Sequence, residues 1–478
     1  MSSSLAKLFI AGEWTEGSSG ERLPVYNPAT EELVGEVCVA AAEDLDTAIE
    51  AAQVGLGEWR KVPAWDKGTI LFDAARQLRG RAEDVGRSIT IEEGKPLQEA
   101  VAEVRRAADF LEWGAGEARR LYDRVHAGRS VGNVFQVRFE PIGVVAAFTP
   151  WNFPIVQLAK KIAALLAAGC TCVAKPAEET PTSCVALIEV LLDAGVPPLA
   201  LNLVFGIPDK ISSHLIASPH IQKVTFTGSV PVGKLLASMA GKYMKPATME
   251  LGGHAAAIVF DDVNVEKVAR YLAARKFVNA GQVCVAPTRF YVQDAAYDRF
   301  LTSFTEAANK IVLGDGLRPQ TTMGPLANRR RLDAIEQMVA EATESGAKIH
   351  SGGSRIGNRG LYYPPTVLSE VDPNCSMMQS EPFGPVAPVN RFSSEHQVIE
   401  AANSLDFGLS SYVFTQDIGR QERVCADLQV GMVGVNDVPF HLPELPFGGW
   451  KDSGYGTEGG IEMLQGYLKP KVVSTTAF

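Results

Sequence analysis

The stretch PIGVVAAFTPWNFPIVQLAKKIAALLAAGCTCVAKPAEETP, residues 141–181, decides how this chain is read. GVVAAFTP is a nearly unbroken apolar run, the pattern of a strand covered on both faces. Residues 154–168 then read as a helix with proline at its start, where a missing N–H costs nothing. CTCVAK follows as a second apolar strand ending in Lys175. Downstream the alternation continues: a helix over 183–193, strands LNLVF and KVTFTG, a helix near 232–239, and the strand ATMEL. Strands alternating with helices indicate a parallel sheet covered on both sides, with ligands beyond the carboxyl ends of the strands.

A second series begins near Ala255, with AAAIVF, a helix over 265–279, TRFYV and a helix over 297–312. Helices near 331–344 and 397–402 follow, then strands SYVF and GMVGVN. Upstream, Leu45, Ile49, Ala52, Leu56 and Trp59 recur at helical spacing behind Glu43-Asp44. Residues 128–140 and 471–478 are strand-like and fit neither series. Their pairing would make an arm suited to oligomer formation. At ~150 residues per unit, 478 residues allow about three units.

Composition excludes several classes. Hydrophobic residues make up 46% of the chain and the net charge is −10, which suits a globular protein with large cores. The acidic balance disfavours a broad nucleic-acid surface. Seven cysteines without a CxxC pair do not form a disulfide framework. The start lacks signal-peptide features, and the longest apolar run, 162–174, is short of the ~20 residues a spanning helix needs. A protein of a reducing compartment, the cytoplasm, is expected, without membrane or nucleic-acid partners. Seven histidines show no ligand spacing, so no metal is expected.

Six motifs could carry chemistry, and the first four, taken alone, also have a plain structural reading. Gly228-Ser-Val-Pro-Val-Gly233-Lys234 follows a strand and opens a helix, but Leu235 stands where a magnesium-holding hydroxyl belongs. It is not a triphosphatase loop, although Gly228, Ser229 and a helix start can receive a pyrophosphate. Lys175 and Glu178 at a strand end can hold sugar hydroxyls, and the carboxylate would repel a 2′-phosphate. Glu250 precedes Gly252-Gly253 and could act as a base. Cys284 lies in the polar stretch NAGQVC, where an accessible thiol would need activation from its ordinary pKa of ~8.5. Trp151-Asn152-Phe153-Pro154 offers an amide donor at a strand-to-helix junction, and Glu381-Pro-Phe383-Gly-Pro385 is a stiff turn. His254 beside Glu250 reads as a packing or hydrogen-bonding residue.

Together and in order, PWNFP, KPAEETP, FTGSVPVG, MELGGH, NAGQVC and EPFGP resemble the aldehyde dehydrogenase superfamily along nearly the whole chain. MELGGH, LPFGGWKDSGYGTEGG and YLKPKVVS look most like its succinate-semialdehyde and 2-oxoglutarate-semialdehyde branch. The resemblance implies an α/β fold with a Rossmann-like cofactor domain (1–120 and 142–252) and a catalytic domain (253–455). A β-arm (121–141 and 456–478) would build a homodimer or homotetramer. It implies that Cys284 attacks the aldehyde carbonyl and that Asn152 and the Cys284 N–H hold the oxyanion. Glu250 would activate the water that releases the acid. Lys175 and Glu178 would hold the adenosine ribose, Ser229 the pyrophosphate, and Glu381 and Phe383 the nicotinamide ribose and ring, with Trp151, Gly228 and Gly233 also at the cofactor. NAD is expected in preference to NADP because of Glu178.

One departure concerns the substrate. Semialdehyde enzymes of this branch commonly carry carboxylate-gripping arginines where this chain has Lys160 and Val278. Lysine offers charge without a fork, and valine offers none. The branch implies a semialdehyde. The alternative is an aromatic or longer aliphatic aldehyde in a pocket of Phe153, Gln157, Lys160, Val278, Phe440 and His441. An acylating enzyme is disfavoured by Glu250, a cysteine hydrolase by the lack of a Cys–His motif, and a non-catalytic protein by the joint presence of Cys284, Glu250 and Asn152.

Overall fold

The computed structural model describes residues 4–439 and 442–476, so Phe440 and His441 lie outside the described residues. Five parallel strands form the centre of an eight-stranded sheet, in the order Ala247–Leu251, Ile221–Gly228, Val144–Phe148, Thr171–Lys175 and Leu201–Leu203. Val144–Phe148 comes first in sequence and lies in the middle. The chain therefore winds outward one way, returns, and winds the other way. The switch falls between Val144–Phe148 and Ile221–Gly228, where a crevice opens above the strand ends. Both strands are almost wholly buried; Val144–Phe148 accordingly reads as a continuous apolar run, whereas Ile221–Gly228 also buries Lys223, Thr225 and Thr227.

Two features of this sheet come from distant sequence. Leu8–Ile10 and Glu13–Thr15 extend one edge antiparallel, and Gly454–Tyr455 pairs with Met249 and Glu250 at the other. Gly454–Tyr455 lies inside the range read as catalytic, yet it belongs to the first sheet. Helices Ala64–Gly80, Ala82–Glu93 and Leu97–Ala118 were not foreseen. Their buried stripes rely on small residues such as Gly68, Ala74, Ala75, Gly114 and Ala115, which read weakly as apolar. Small size is needed there: a Cβ on Gly114 would lie 3.1 Å from the Ala163 carbonyl oxygen of the facing helix Pro154–Ala167.

The second sheet has seven strands, all parallel except for Lys348–Ser351 at one edge. Its interior strand Ala255–Val259 follows Ala247–Leu251 through only Gly252-Gly253-His254, so the two sheets meet beside Glu250. Asn133–Pro141 pairs antiparallel with Leu468–Thr476 along its whole length, and Arg124–Ala127 completes a three-stranded arm. Among the described residues no helix is long and apolar enough to cross a membrane.

Candidate active site

A cleft of about 460 Å³ lies at the switch point of the first sheet and reaches the second. Its lining brings together Trp151, Asn152, Gly228, Ser229, Glu250, Cys284, Glu381 and Phe383 from five separate motifs, with Gln157 beside them. A much smaller chamber of about 10 Å³, room for roughly one water-sized group, adjoins it, lined by Arg106, Phe153, Val156, Gln157, Lys160, Val283, Cys284 and Phe447. Cys284, Gln157 and Phe447 line both spaces, so the thiol sits at their junction.

The loop that carries Cys284 is held in an unusual shape. Asn279 and Ala280 adopt left-handed backbone angles (φ 49° and 52°), which cost energy for non-glycine residues. Surrounding bonds hold that shape: the Asn279 N–H donates to Glu99 Oε2 at 2.9 Å, and the Ala327 N–H donates to Gln282 Oε1 at 3.0 Å. Burial, followed by the charges of Glu381 and Glu250, pushes the half-buried Cys284 thiol up to about 12, against Lys160 and the Val285 N–H. The resting sulfur is therefore a neutral thiol.

Asn152 is fixed from behind. Its carbonyl oxygen accepts from Lys95 Nζ (2.7 Å) and Asn279 Nδ2 (2.9 Å). Lys95 is in turn held by Glu103 at 2.6 Å. Asn152 Nδ2 donates to the Gln282 carbonyl at 3.0 Å, using one of its two N–H groups, and its buried Oδ1 has no partner. The other N–H remains available to an oxyanion.

Glu250 is buried with no hydrogen bond to either carboxylate oxygen. Burial and then Glu458 raise its pKa well above the usual carboxylate range, while Lys161 and Lys160 oppose the shift. Glu381 is pushed up to about 8 by burial, and its Oε1 accepts from the Gly253 N–H at 3.3 Å. A Cβ at Gly252 would lie 2.2 Å from Glu381 Oε2, so a larger residue there would displace that carboxylate. Phe383 meets Trp151 edge to face, with ring centres 5.6 Å apart.

Other expected residues lie elsewhere. Lys175 and Glu178 form an ion pair at the end of their strand, and the Gly206 N–H donates to Glu178 Oε1 at 3.4 Å. Gly233 is a packing position rather than a cleft residue: a Cβ there would lie 2.3 Å from Leu251 Cδ2. Val278 is half-buried and lines neither space, whereas Phe153 and Lys160 line the chamber. His254 bonds Thr288 Oγ1 (2.8 Å) and the Met377 carbonyl (3.1 Å). The sequence reading missed Lys95, Glu103, Asn328, Arg331 and Arg106. Among them, Arg331 belongs to a charge run indistinguishable from a solvated face, and the rest have no motif.

Residues 14–473 match the Aldehyde dehydrogenase family. The chain belongs to it. Relatives of this aldehyde dehydrogenase include the putative 4-(hydroxymethyl)benzenesulfonate dehydrogenase TsaD2 of Comamonas testosteroni, 41% identical over 98% of each chain. The succinate-semialdehyde dehydrogenase [NADP(+)] GabD of Escherichia coli K12 is 40% identical over 97% of this chain and 96% of its own. A crystal structure described as an E. coli NADP dependent enzyme superposes with TM-score 0.97 at 39% identity, covering 99% of this chain and 98% of that one.

The cleft of this NAD(P)-dependent enzyme fits a dinucleotide. Thr227 Oγ1, Asn152 Oδ1 and both Glu250 oxygens are buried in its lining without partners. Helix Val230–Lys242 opens beside Ser229 with first-turn N–H groups lacking intrahelical acceptors. Gly228 admits no side chain there, since a Cβ would lie 2.3 Å from the Phe226 ring.

Proposed function

We propose that this enzyme oxidises an aldehyde to its carboxylic acid through a covalent adduct on Cys284, with NAD preferred. The observation that carries the reading is the cleft lining, which holds one thiol, one free amide donor and one unpartnered carboxylate. Cys284 gives its proton to solvent water as its sulfur bonds to the aldehyde carbon. The Asn152 amide, with the Cys284 N–H, receives the resulting oxyanion. A bound dinucleotide would supply the hydride acceptor, and the adduct that has lost its hydride is a thioester on Cys284. Glu250 then takes a proton from water, which attacks the thioester and releases the acid and the thiol. Lys175 and Glu178 hold the adenosine ribose, Gly228 and Ser229 the pyrophosphate, and Trp151, Glu381 and Phe383 the nicotinamide end. Gly233 supports that turn through packing.

A semialdehyde is the substrate class favoured by the resemblance and by the name of the GabD relative. The printed name of TsaD2 keeps an aromatic substrate in view. The test is NADH and NADPH production over a panel of aldehydes, with Cys284→Ala as control. That substitution is expected to abolish oxidation while leaving NAD binding, read by fluorescence titration, intact. Turnover by the Cys284→Ala protein would overturn the assignment.

A further inference from the structure

The chamber beyond Cys284 carries a charge that the proposed cycle does not use. Arg106 projects from helix Leu97–Ala118 into that chamber, together with Lys160 from helix Pro154–Ala167. Glu103, Asp109 and Glu99 lie near enough to act on the guanidinium, but each has another partner. Glu103 pairs with Lys95 at 2.6 Å, Asp109 with Arg79 at 2.7 Å, and Glu99 accepts the Asn279 N–H at 2.9 Å. Among the described residues Arg106 makes no hydrogen bond and no ion pair within 4.0 Å.

Lys160 is placed similarly. Its ammonium lies 4.1 Å from the centre of the Phe447 ring and 5.1 Å from that of Phe110. The neighbouring Lys161, in contrast, is committed to Glu458 and Thr225. No acidic residue is among the described residues that line the chamber. A half-buried Arg106 and a buried Lys160, neither hydrogen-bonded to a carboxylate although Glu458 and Glu250 act on Lys160 from outside the chamber, are costly in an otherwise apolar space, and an arriving anion would lower that cost.

We propose that Arg106, with Lys160 beside it, forms an anion subsite that selects aldehydes bearing a terminal carboxylate or sulfonate. The inference rests on the aldehyde-oxidising reading above and names its substrate class. Arg106 supplies a planar fork that suits either oxyanion, and Lys160 adds a point charge. The tail is charged in ground and transition states alike, so the contact acts mainly through KM.

The test compares kcat/KM for succinate semialdehyde against butanal, and for 4-sulfobenzaldehyde against benzaldehyde. In the parent enzyme at least one anionic member is expected to win, and the pair with the larger ratio identifies the tail. Arg106→Gln should lower that ratio about 10- to 100-fold through KM, as loss of a charged hydrogen bond implies, with Arg106→Lys intermediate. Succinate should also inhibit butanal oxidation competitively in the parent enzyme, a readout needing no substitution. Ratios near one in the parent, ratios unmoved by Arg106→Gln, or absence of succinate inhibition would each overturn the subsite. If neutral aldehydes are oxidised while these readouts fail, only the subsite falls. If no aldehyde of either charge is oxidised, the underlying reading falls with it.

Discussion

Burial raises the pKa of both Cys284 and Glu250, the thiol to about 12 and the carboxyl well above its ordinary range. For an acid whose pKa is raised, the reactive basic form becomes populated only as pH climbs towards that value. With the thiol raised to about 12, the kcat/KM of the enzyme should therefore still be rising with pH through the alkaline range below that value, by up to about tenfold per unit. A flat profile over that range would show that neither proton limits the reaction. Glu178 carries a second expectation at this scale. Its carboxylate stands with Lys175 at a strand end, where it would repel a 2′-phosphate. Glu178→Ser should raise the NADP-to-NAD ratio of kcat/KM by about tenfold or more, since one close charge repulsion is removed. An unchanged ratio would reject the ribose role. That GabD, named for NADP(+), is 40% identical along nearly the whole chain makes a local determinant of this kind the relevant one to test.

Helix Val230–Lys242 shows how an element can matter without touching a ligand. Gly233 brings the helix down onto strand Ala247–Leu251, so that Ser229 at the helix start and Glu250 on the strand share one cleft. Gly233→Val would force the two apart. Overpacking of this kind costs ~1–3 kcal/mol, so urea unfolding should shift by that amount while KM for NAD rises more than KM for aldehyde. Unaltered stability and KM would show that the contact has slack. The same element marks the limit of sequence reading. Buried strands and proline-started helices were legible because two-sided burial leaves an apolar run and a fixed φ leaves a proline. The motif residues Asn152, Glu250 and Cys284 were legible because each follows a strand end or glycine turn. The Lys95 and Asn279 grip on the Asn152 carbonyl was not, because those partners meet only after the helices pack. Arg106 was equally hidden, as one of two adjacent arginines on a small-residue helix. Its absence from the sequence reading left Lys160 and Val278 to represent the charge of the whole pocket.

At the scale of the molecule, two sheets joined through Gly252-Gly253-His254 need little else to close the site, yet the arm remains unexplained within one chain. Directly opposed residues of paired strands share a face. The register puts Phe135 opposite Ser474, Val137 opposite Val472 and Phe139 opposite Pro470, which makes one face largely apolar. The other face carries Arg138, Glu140, Lys469 and Lys471. Val472 is 67% exposed in the single chain, so the apolar face has little cover of its own there. A second copy laid against that face would bury it, which is the physical case for the homodimer or homotetramer. Val472→Glu should then place a carboxylate in each such contact, where an unpaired charge is strongly disfavoured. Light scattering behind size exclusion should show the parent at a multiple of its 51.3 kDa chain mass and the variant at a smaller one. Circular dichroism should remain unchanged, because Val472 makes no part of either large sheet. A variant that keeps the parent mass would mean that the arm is not the contact, and the exposed apolar face would then need another occupant.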